Sequence, residues 1–341
     1  TPIWGMIADR TNRKLMLLRS SIGMAITMTL MAFCHTPFSL MCMRFLNGTI
    51  AGFTPAGNTL MTTNTPKDKI GYALGNMQAG SLAGAIFGPV LGGFFVSYLP
   101  FHYAFFISGA ICAIVAVLMI IYVKEMNVPK KTAKHVGFFE GFRLAFTHKP
   151  LPSIFVASVL MQFAVIGTNA FLSIYVSEMP LGSMQLAFHI TLATTVTGVC
   201  SVISAPIVGR MVDKLGAEKM IGYSFLAAGC FLLLQALARN YWLLLFGRFL
   251  FGLALGGLSP SINSMVAKYS IPGLESSIYS YNSSCMCTGM MAGPWLGGFI
   301  AGTTGTSGLF AVCGCILLFN SFWIRRGLGQ LKIHQKEKIA S

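Results

Sequence analysis

Charged side chains are scarce in this sequence. They make up 10% of its 341 residues, whereas 55% of the residues are hydrophobic and the mean hydropathy is +0.70. A soluble domain usually carries roughly 25% charged residues. The chain therefore lacks the polar surface of a cytosolic enzyme or of a disordered protein, and we expect the lipid bilayer to be its solvent.

The sequence also lacks the short motifs of several enzyme classes. It contains no G-x-x-x-x-G-K-[ST] phosphate loop, no H-E-x-x-H pair and no nucleophile elbow, so ATP is not expected as an energy source. The nine cysteines lie mostly within apolar stretches, which favours small core residues over metal ligands. We therefore predict that the chain is not an enzyme and holds neither a metal nor a cofactor.

Apolar runs dominate what is present. About 20 apolar residues cross a bilayer as a helix, and ten runs of that size occur. They lie at 15–34, 39–62, 72–97, 101–123, 153–176, 187–208, 220–238, 241–267, 276–301 and 306–324. The sequence therefore predicts an all-α integral membrane protein.

Basic residues outnumber acidic ones, 24 Lys and Arg against nine Asp and Glu. They fall in short groups between the apolar runs, in every second connection, and do not form one basic face. Nucleic acid is therefore not an expected partner. Under the positive-inside rule the basic connections face the cytoplasm, which predicts a cytoplasmic linker and C-terminus in a multi-pass protein of the cell membrane.

An internal repeat relates the two parts of the chain. The segment GMIADR at 5–10 returns as GRMVDK at 209–214, RFLNG at 44–48 returns as RFLFG at 248–252, and GPVLGG at 88–93 returns as GPWLGG at 293–298. The first two pairs are offset by 204 residues and the third by 205. Three matches in the same order indicate a parallel duplication.

The offset also predicts the domain organisation. The second copy opens near Leu151, so the first copy would open before Thr1, and we expect the first span and most of the second to be absent from this sequence. The expected parts are an incomplete N-terminal helical half (1–123), a basic cytoplasmic linker (124–152), a six-helix C-terminal half (153–325) and a basic cytoplasmic tail (326–341). In the linker, four phenylalanines share a helical face, which favours an interfacial helix; a solvated linker is the alternative. They are Phe138, Phe139, Phe142 and Phe146.

These motifs together resemble the major facilitator superfamily and, within it, the drug:proton antiporters with twelve spans. The segment GMIADRTNRK at 5–14 resembles that superfamily's loop signature G-x-x-x-D-R-x-G-R-K/R between spans two and three. Asn12 stands where the signature has glycine, and asparagine is the next-best residue for a positive φ. The segment GAIFGPVLGG at 84–93 resembles the fifth-span motif G-x-x-x-G-P-x-x-G-G, which marks exporters. The resemblance implies two parallel pseudo-repeats of six transmembrane helices.

The resemblance also implies roles for individual residues. Asp9 would face the positive end of a neighbouring helix, pair with Arg10 or Arg13, and hold the inner gate in one conformation; an ordinary loop ion pair is the alternative. Arg44 would take part in proton coupling, although it could instead bind backbone carbonyls, an alternative that applies more strongly to its repeat Arg248. The gating set is Gly5, Asp9, Arg10, Arg13, Lys14, Gly209 and Asp213, and the antiporter helix set is Gly84, Gly88, Pro89, Gly92 and Gly93.

Polar side chains within the apolar runs are candidates for the substrate cavity. They are Asn58, Gln78, Gln162, Asn169, Asn263 and Asn282. No Asp or Glu lies in the middle of a predicted span, whereas a proton-driven transporter usually has a titratable group there. We expect that group in the missing first span, with His189 as a second candidate and a structural role as the alternative for this histidine.

The sequence thus predicts a secondary active transporter that exports amphipathic small molecules by alternating access, driven by protons. The alternative is an exporter or facilitator of a sugar or another small metabolite with the same fold. The expected partners are the substrate, protons and the lipid bilayer, and we expect a monomer.

Overall fold

The computed structural model describes residues 2–34, 36–50, 52–98, 100–123, 138–148, 150–179 and 186–340. Within these ranges all regular structure is helical. Helices are expected here, because a chain in lipid must satisfy its backbone hydrogen bonds within each spanning segment. The helices are α1 (Pro2–Arg10), α2 (Arg13–Met31), α3 (Pro37–Ile50), α4 (Phe53–Asn64), α5 (Ile70–Tyr98), α6 (Phe101–Tyr122), α7 (Phe138–Thr147), α8 (Leu151–Ala170), α9 (Leu172–Ser177), α10 (Leu186–Leu215), α11 (Ala217–Ala236), α12 (Tyr241–Tyr269) and α13 (Glu275–Ala340), with a short 3₁₀ helix at Lys67–Lys69.

In the described part of the chain, seven helical stretches are long and apolar enough to cross a membrane. The run predicted at 39–62 is found as two helices, α3 and α4, and the run at 153–176 as α8 and α9. The runs at 276–301 and 306–324 form one helical stretch, α13, which is interrupted at Gly305 with a φ of 79°. A positive φ is available to glycine without strain, so Gly305 separates the two predicted spans. The predicted tail continues α13, since residues up to Ala340 are helical.

Most of the predicted linker lies outside the described residues. The part that is described contains α7, the helix expected from the phenylalanine pattern. The Phe142 ring contacts the Tyr281 ring edge-on at 5.7 Å, and the Phe146 ring lies 5.2 Å from that of Phe155. The side chains of Phe138 and Phe139 are outside the described part.

The chain divides into two compact units, which differ from the sequential halves in the exchange of two short segments. Unit 1 comprises Thr1–Asn64, Gly84–Phe142 and Ile271–Ser283. Unit 2 comprises Thr65–Ala83, Arg143–Ser270 and Ser284–Ser341. The beginning of α5 therefore packs within unit 2, and the beginning of α13 within unit 1.

Small residues allow close packing inside unit 2. Helix α12 packs along α10 and α11. A Cβ on Gly252 would lie 2.6 Å from the carbonyl oxygen of Thr197, and one on Gly256 would lie 2.5 Å from that of Ser201. These distances are shorter than van der Waals contact, so only glycine permits this approach of α12 to α10, as is common between helices in membranes.

In unit 1, α2 packs on α6, and a small apolar cluster joins α1, α2 and α4. Its buried members are Ala8, Met16, Leu17, Ala56 and Leu60. On the other side of α6, large apolar side chains such as Ile114 and Ile121 are exposed. An exposed apolar surface of this kind suits contact with lipid.

Candidate functional site

The first copy of the loop motif connects α1 to α2. Helix α1 ends at Arg10, and Asn12 caps the start of α2: its Oδ1 accepts a hydrogen bond from the backbone N–H of Leu15 at 3.2 Å. The φ of Asn12 is −74°, so the expectation of a positive φ at this position is wrong. Asparagine is suited to this site because it is a favoured N-cap residue.

Asp9 is buried and binds the beginning of a helix that lies more than 260 residues further along the chain. Its Oδ1 accepts the backbone N–H of Ser276 at 2.7 Å, and its Oδ2 accepts the N–H of Ser277 at 2.8 Å and the hydroxyl of Ser277 at 2.6 Å. These amides belong to the first turn of α13, which lacks intrahelical acceptors and carries partial positive charge. Burial raises the pKa of Asp9, whereas the hydrogen bonds from Ser277 and Ser276 act in the opposite direction.

Other members of the motif surround this contact. Arg13 is buried, and its Nη2 lies 3.2 Å from Oε2 of Glu275, the residue before Ser276. The Nζ of Lys14 donates to the carbonyl of Ile120 at 3.0 Å. A Cβ on Gly5 would lie 2.6 Å from the Ser276 carbonyl oxygen, so a side chain there would push α1 away from α13. The side chain of Arg10 is outside the described part.

The second copy of the motif makes the same kind of contact within unit 2. Asp213 accepts the backbone N–H of Gly71 on Oδ1 at 2.6 Å and that of Tyr72 on Oδ2 at 2.8 Å. These amides lie in the first turn of α5. A Cβ on Gly71 would lie 2.5 Å from the carbonyl oxygen of Gly209, so the two glycines allow α10 and α5 to approach. The sequence identified both aspartates but not the helices that they bind. Their partners are backbone amides, which every helix start offers, so no residue pattern marks the helix that is bound.

The two membrane arginines differ in their surroundings. The side chain of Arg44 is exposed. Arg248 is 0% exposed; its Nη1 donates to Oδ1 of Asn169 at 2.9 Å, and its guanidinium carbon lies 5.4 Å from the centre of the Phe310 ring. Its Nε and Nη2 have no hydrogen-bond partner among the residues that the structure describes. Of the two arginines, the one in the second copy, Arg248, is therefore buried. Its hydrogen-bond partner is the side-chain amide of Asn169 and not the backbone carbonyls of the alternative interpretation.

The remaining polar candidates are distributed over both units. Asn58 and Asn282 of unit 1 are buried, while Gln78, Gln162 and Asn263 of unit 2 are partly buried. Gln162 and Asn169 lie seven residues apart on α8 and contact different helices: a Cβ on Gly289 of α13 would lie 3.0 Å from the Cβ of Gln162, and Asn169 binds Arg248 of α12.

His189 has the surroundings of a structural residue. It is buried, its ring stacks edge-on against Tyr241 with 4.5 Å between centres, and its backbone carbonyl accepts the Tyr241 hydroxyl at 2.9 Å. These contacts fix α10 against α12.

The antiporter motif lies on α5, a single helix from Ile70 to Tyr98. Among the residues that the structure describes, no atom would lie within 4 Å of a Cβ on Gly84, Gly88 or Gly92. Within the described part of the chain, this glycine face of α5 therefore makes no close helix contact. The side-chain surroundings of Pro89 and Gly93 are outside the described residues.

The cysteines correct one prediction. All nine are free, and within the described ranges no group of three His, Cys, Asp or Glu residues could hold a metal ion. Only Cys200 and Cys313 are buried, and four are exposed on helix surfaces instead of lying in a core. The exposed ones are Cys42, Cys230, Cys287 and Cys315.

Arg19 and Trp4 were missed by sequence reasoning. Arg19 lies in α2, inside the run predicted at 15–34, with its guanidinium carbon 3.3 Å from the centre of the Trp4 ring. Its Nη2 donates to the carbonyl of Ile50 at 3.2 Å, and the indole Nε1 of Trp4 donates to the carbonyl of Thr49 at 2.7 Å. An arginine inside a predicted span is costly unless it is paired, and that signal could have identified it.

Spanning helices, a duplicated loop with a buried carboxylate and an arginine buried within a span define a multi-pass helical membrane protein of the transporter class. Residues 1–191 and 176–338 each match the Major Facilitator Superfamily. The chain belongs to this family, which confirms the predicted fold and confirms that the protein is a secondary transporter and not an enzyme.

Known relatives agree with this assignment. The chain is 31% identical over 323 residues to "Multidrug resistance protein MdtG" of Serratia proteamaculans (strain 568), covering 95% of this chain and 79% of the relative. It is 32% identical to the protein of the same name from Salmonella schwarzengrund (strain CVM19633), covering 95% and 80%.

Solved structures share the fold at low sequence identity. The human organic anion transporter MFSD10 (TETRAN) has a TM-score of 0.80 at 17% identity, over 95% of this chain and 79% of that one. The Escherichia coli fucose:proton symporter FucP has a TM-score of 0.79 at 17% identity, over 95% and 87%. At this identity the likeness shows the fold alone.

Proposed function

We propose that the protein is a proton-coupled multidrug exporter that works by alternating access. Its relatives carry the name of multidrug resistance proteins, and the fifth-span motif at 84–93 resembles that of exporters. The substrates would be amphipathic small molecules, and the energy source would be the proton gradient instead of a bound cofactor.

The observation that carries the proposal is the duplicated cap. Asp9 binds the first turn of α13, and Asp213 binds the first turn of α5. Each cap depends on a few hydrogen bonds and one charge at a helix end, so its free energy is of the size of a typical coupling energy, about 1–3 kcal/mol. Contacts of this strength stabilise one conformation and can still be released during a transport cycle.

The proposed location is the plasma membrane, with the linker and the C-terminus in the cytoplasm and the protein acting as a monomer. The basic residues support this orientation, because they concentrate around alternate connections, including the one between α1 and α2, where Arg13 and Lys14 are the first residues of α2. The exposed apolar surface of α6 suits contact with lipid.

Proton coupling can be tested by dye efflux in everted membrane vesicles, with and without a protonophore. We expect the protonophore to stop efflux by the parent protein. Arg44→Ala should uncouple efflux from the pH gradient, and Arg44→Lys should restore it only in part, because lysine keeps the charge but loses the planar donors of arginine. Arg239→Ala, which removes an exposed arginine from the connection between α11 and α12, is the matched control.

The same assay distinguishes the alternative transporter. If the parent protein exports the dye equally well with the protonophore, proton coupling is wrong and a facilitator takes its place. If Arg44→Ala behaves like Arg239→Ala, Arg44 has no part in the coupling.

A further inference from the structure

The predicted span at 39–62 is built from two helices. Helix α3 ends at Ile50 and α4 begins at Phe53, and Gly52 belongs to neither. A helix end leaves backbone carbonyls without intrahelical partners. Within a membrane such groups need other donors, since lipid supplies none.

Two side chains from other helices supply those donors. Arg19 of α2 donates to the Ile50 carbonyl, and Trp4 of α1 donates to the Thr49 carbonyl. The guanidinium of Arg19 also stacks on the Trp4 ring, an arrangement that stabilises a desolvated cation. A Cβ on Gly52 would lie 3.7 Å from both Arg19 Nη2 and Trp4 Cβ, so the pair lies directly against the junction. We call Arg19 and Trp4 the junction clamp.

The second copy shows that the junction clamp is not a general requirement of this fold. With the offset of 204, Arg19 corresponds to Tyr223, Trp4 to Val208 and Gly52 to Gly256. Helix α12 is continuous from Tyr241 to Tyr269, and Gly256 packs tightly against α10. The break and the two side chains that satisfy it therefore occur together in one copy and are absent together from the described second copy.

The position of Arg19 also argues against a role in packing alone. At 1.5 Å per residue it lies about 9 Å along α2 from Arg13, inside the predicted span, and its Nε is buried without a hydrogen-bond partner in the described structure. An apolar residue would pack there without the cost of a charge. What the charge supplies is a donor for the carbonyl at the end of α3.

We propose that Arg19 is a positioning residue for transport, and that the junction clamp fixes the direction of α3 relative to α4. This inference rests on the proposed transport function. Helix α3 carries Arg44 and Asn47, and Asn47 Nδ2 donates to the Thr27 hydroxyl of α2 at 2.9 Å. Helix α2 thus contacts α3 at two places, through Thr27 and through Arg19. Loss of the Arg19 contact frees the end of α3 next to the junction.

The first test is the kinetics of efflux in everted vesicles. Arg19→Leu should lower the maximal rate about two- to thirtyfold, the range for residues that act without contacting a ligand, with little change in KM. Arg19→Lys should be intermediate, since it can reach a carbonyl but cannot stack as a plane. Arg325→Leu is the matched control: Arg325 stacks on Tyr223, the repeat equivalent of Arg19, at 4.9 Å. It should stay near the parent rate.

The second test needs no transport. The chain has four tryptophans and ten tyrosines. Replacing Trp242, Trp295 and Trp323 by phenylalanine leaves Trp4 as the only tryptophan, and excitation beyond the tyrosine absorption band then reports Trp4 alone. We expect Arg19→Leu to change the emission of Trp4, because the stacked cation is lost, and Arg325→Leu to leave it unchanged.

The outcomes separate the two proposals. A parent protein that exports nothing, with Trp4 emission still dependent on Arg19, would contradict the transport function and leave the clamp intact. Unchanged Trp4 emission in Arg19→Leu would refute the clamp. A normally inserted Arg19→Leu protein with parental kinetics, or with a raised KM and an unchanged maximal rate, would refute the positioning role.

Discussion

Asp9→Asn should open the first turn of α13 while leaving the rest of the protein folded. The carboxylate accepts three hydrogen bonds, two from backbone amides and one from a hydroxyl. Asparagine keeps the size and one acceptor oxygen, but its amide nitrogen faces donors and the negative charge at the helix end is lost. A hydrogen bond to a charged group contributes about 1.5–3 kcal/mol, and a charge at a partly buried helix end up to about 2 kcal/mol.

These contributions are offset by the cost of burying the carboxylate, so we expect a net loss of about 1–3 kcal/mol, or about five- to 150-fold in the equilibrium between capped and released states. The assay is hydrogen exchange of the purified protein, read by mass spectrometry in the segment 275–283. Amides protected by local structure exchange in proportion to the population of the open state, so Ser276 and Ser277 should exchange faster by that factor.

Two variants control this measurement. Asp68→Asn makes the same chemical change at an exposed carboxylate and should alter neither helix start. Asp213→Asn should speed exchange at Gly71 and Tyr72 and leave the segment 275–283 unchanged, because Asp213 caps α5. If Asp9→Asn leaves the exchange of 275–283 at the parental rate, the carboxylate does not hold this helix end and the reasoning fails.

Two further predictions follow from the same contacts. Gly71→Ala should cost about 1–3 kcal/mol through crowding against Gly209, whereas Gly88→Ala should be neutral or slightly stabilising, since no atom of the described residues would lie within 4 Å of the added Cβ. Thermal unfolding in detergent compares the two variants, and equal losses of stability would contradict this difference between the two glycines. Asn169→Leu should cost about 1–3 kcal/mol by leaving Arg248 unpaired, and adding Arg248→Leu should recover part of the loss; a double variant that is less stable than Asn169→Leu alone would contradict this account of the pair.

The sequence predicted those features that depend on composition or on a repeated pattern. The spans follow from hydrophobic runs, and the helix at Phe138–Thr147 follows from the spacing of its phenylalanines. Glu275 and Asn12 illustrate what the sequence did not predict. The partner of Arg13 is Glu275, 262 residues away, and Asn12 caps a helix although the loop signature suggested a positive φ. Both depend on the tertiary arrangement, which the residues within one motif do not encode.

The interruption of the predicted span at 39–62 was missed for a different reason. Hydropathy averages over a window, so the run at 39–62 looks continuous even though α3 ends at Ile50 and α4 begins at Phe53. The residue that compensates for the break, Arg19, lies in a different run. A search for charged residues inside predicted spans would have found Arg19. Its hydrogen-bond acceptor could not be predicted in this way, because it is the backbone carbonyl of Ile50 and every residue has a carbonyl.

The two copies of the duplication retain one contact and differ in another, and the chemistry of the partners accounts for this. Asp9 and Asp213 both bind backbone amides at a helix start, although the first turns they bind carry Ser276 and Ser277 in one case and Gly71 and Tyr72 in the other. Because the amides are present whatever the side chains, such a contact survives divergence of the partner sequence. Arg248 instead requires the side chain of Asn169, and Arg44 is exposed. Contacts between two side chains require both residues to be kept, so the arginines are where we expect duplicated halves to acquire different roles.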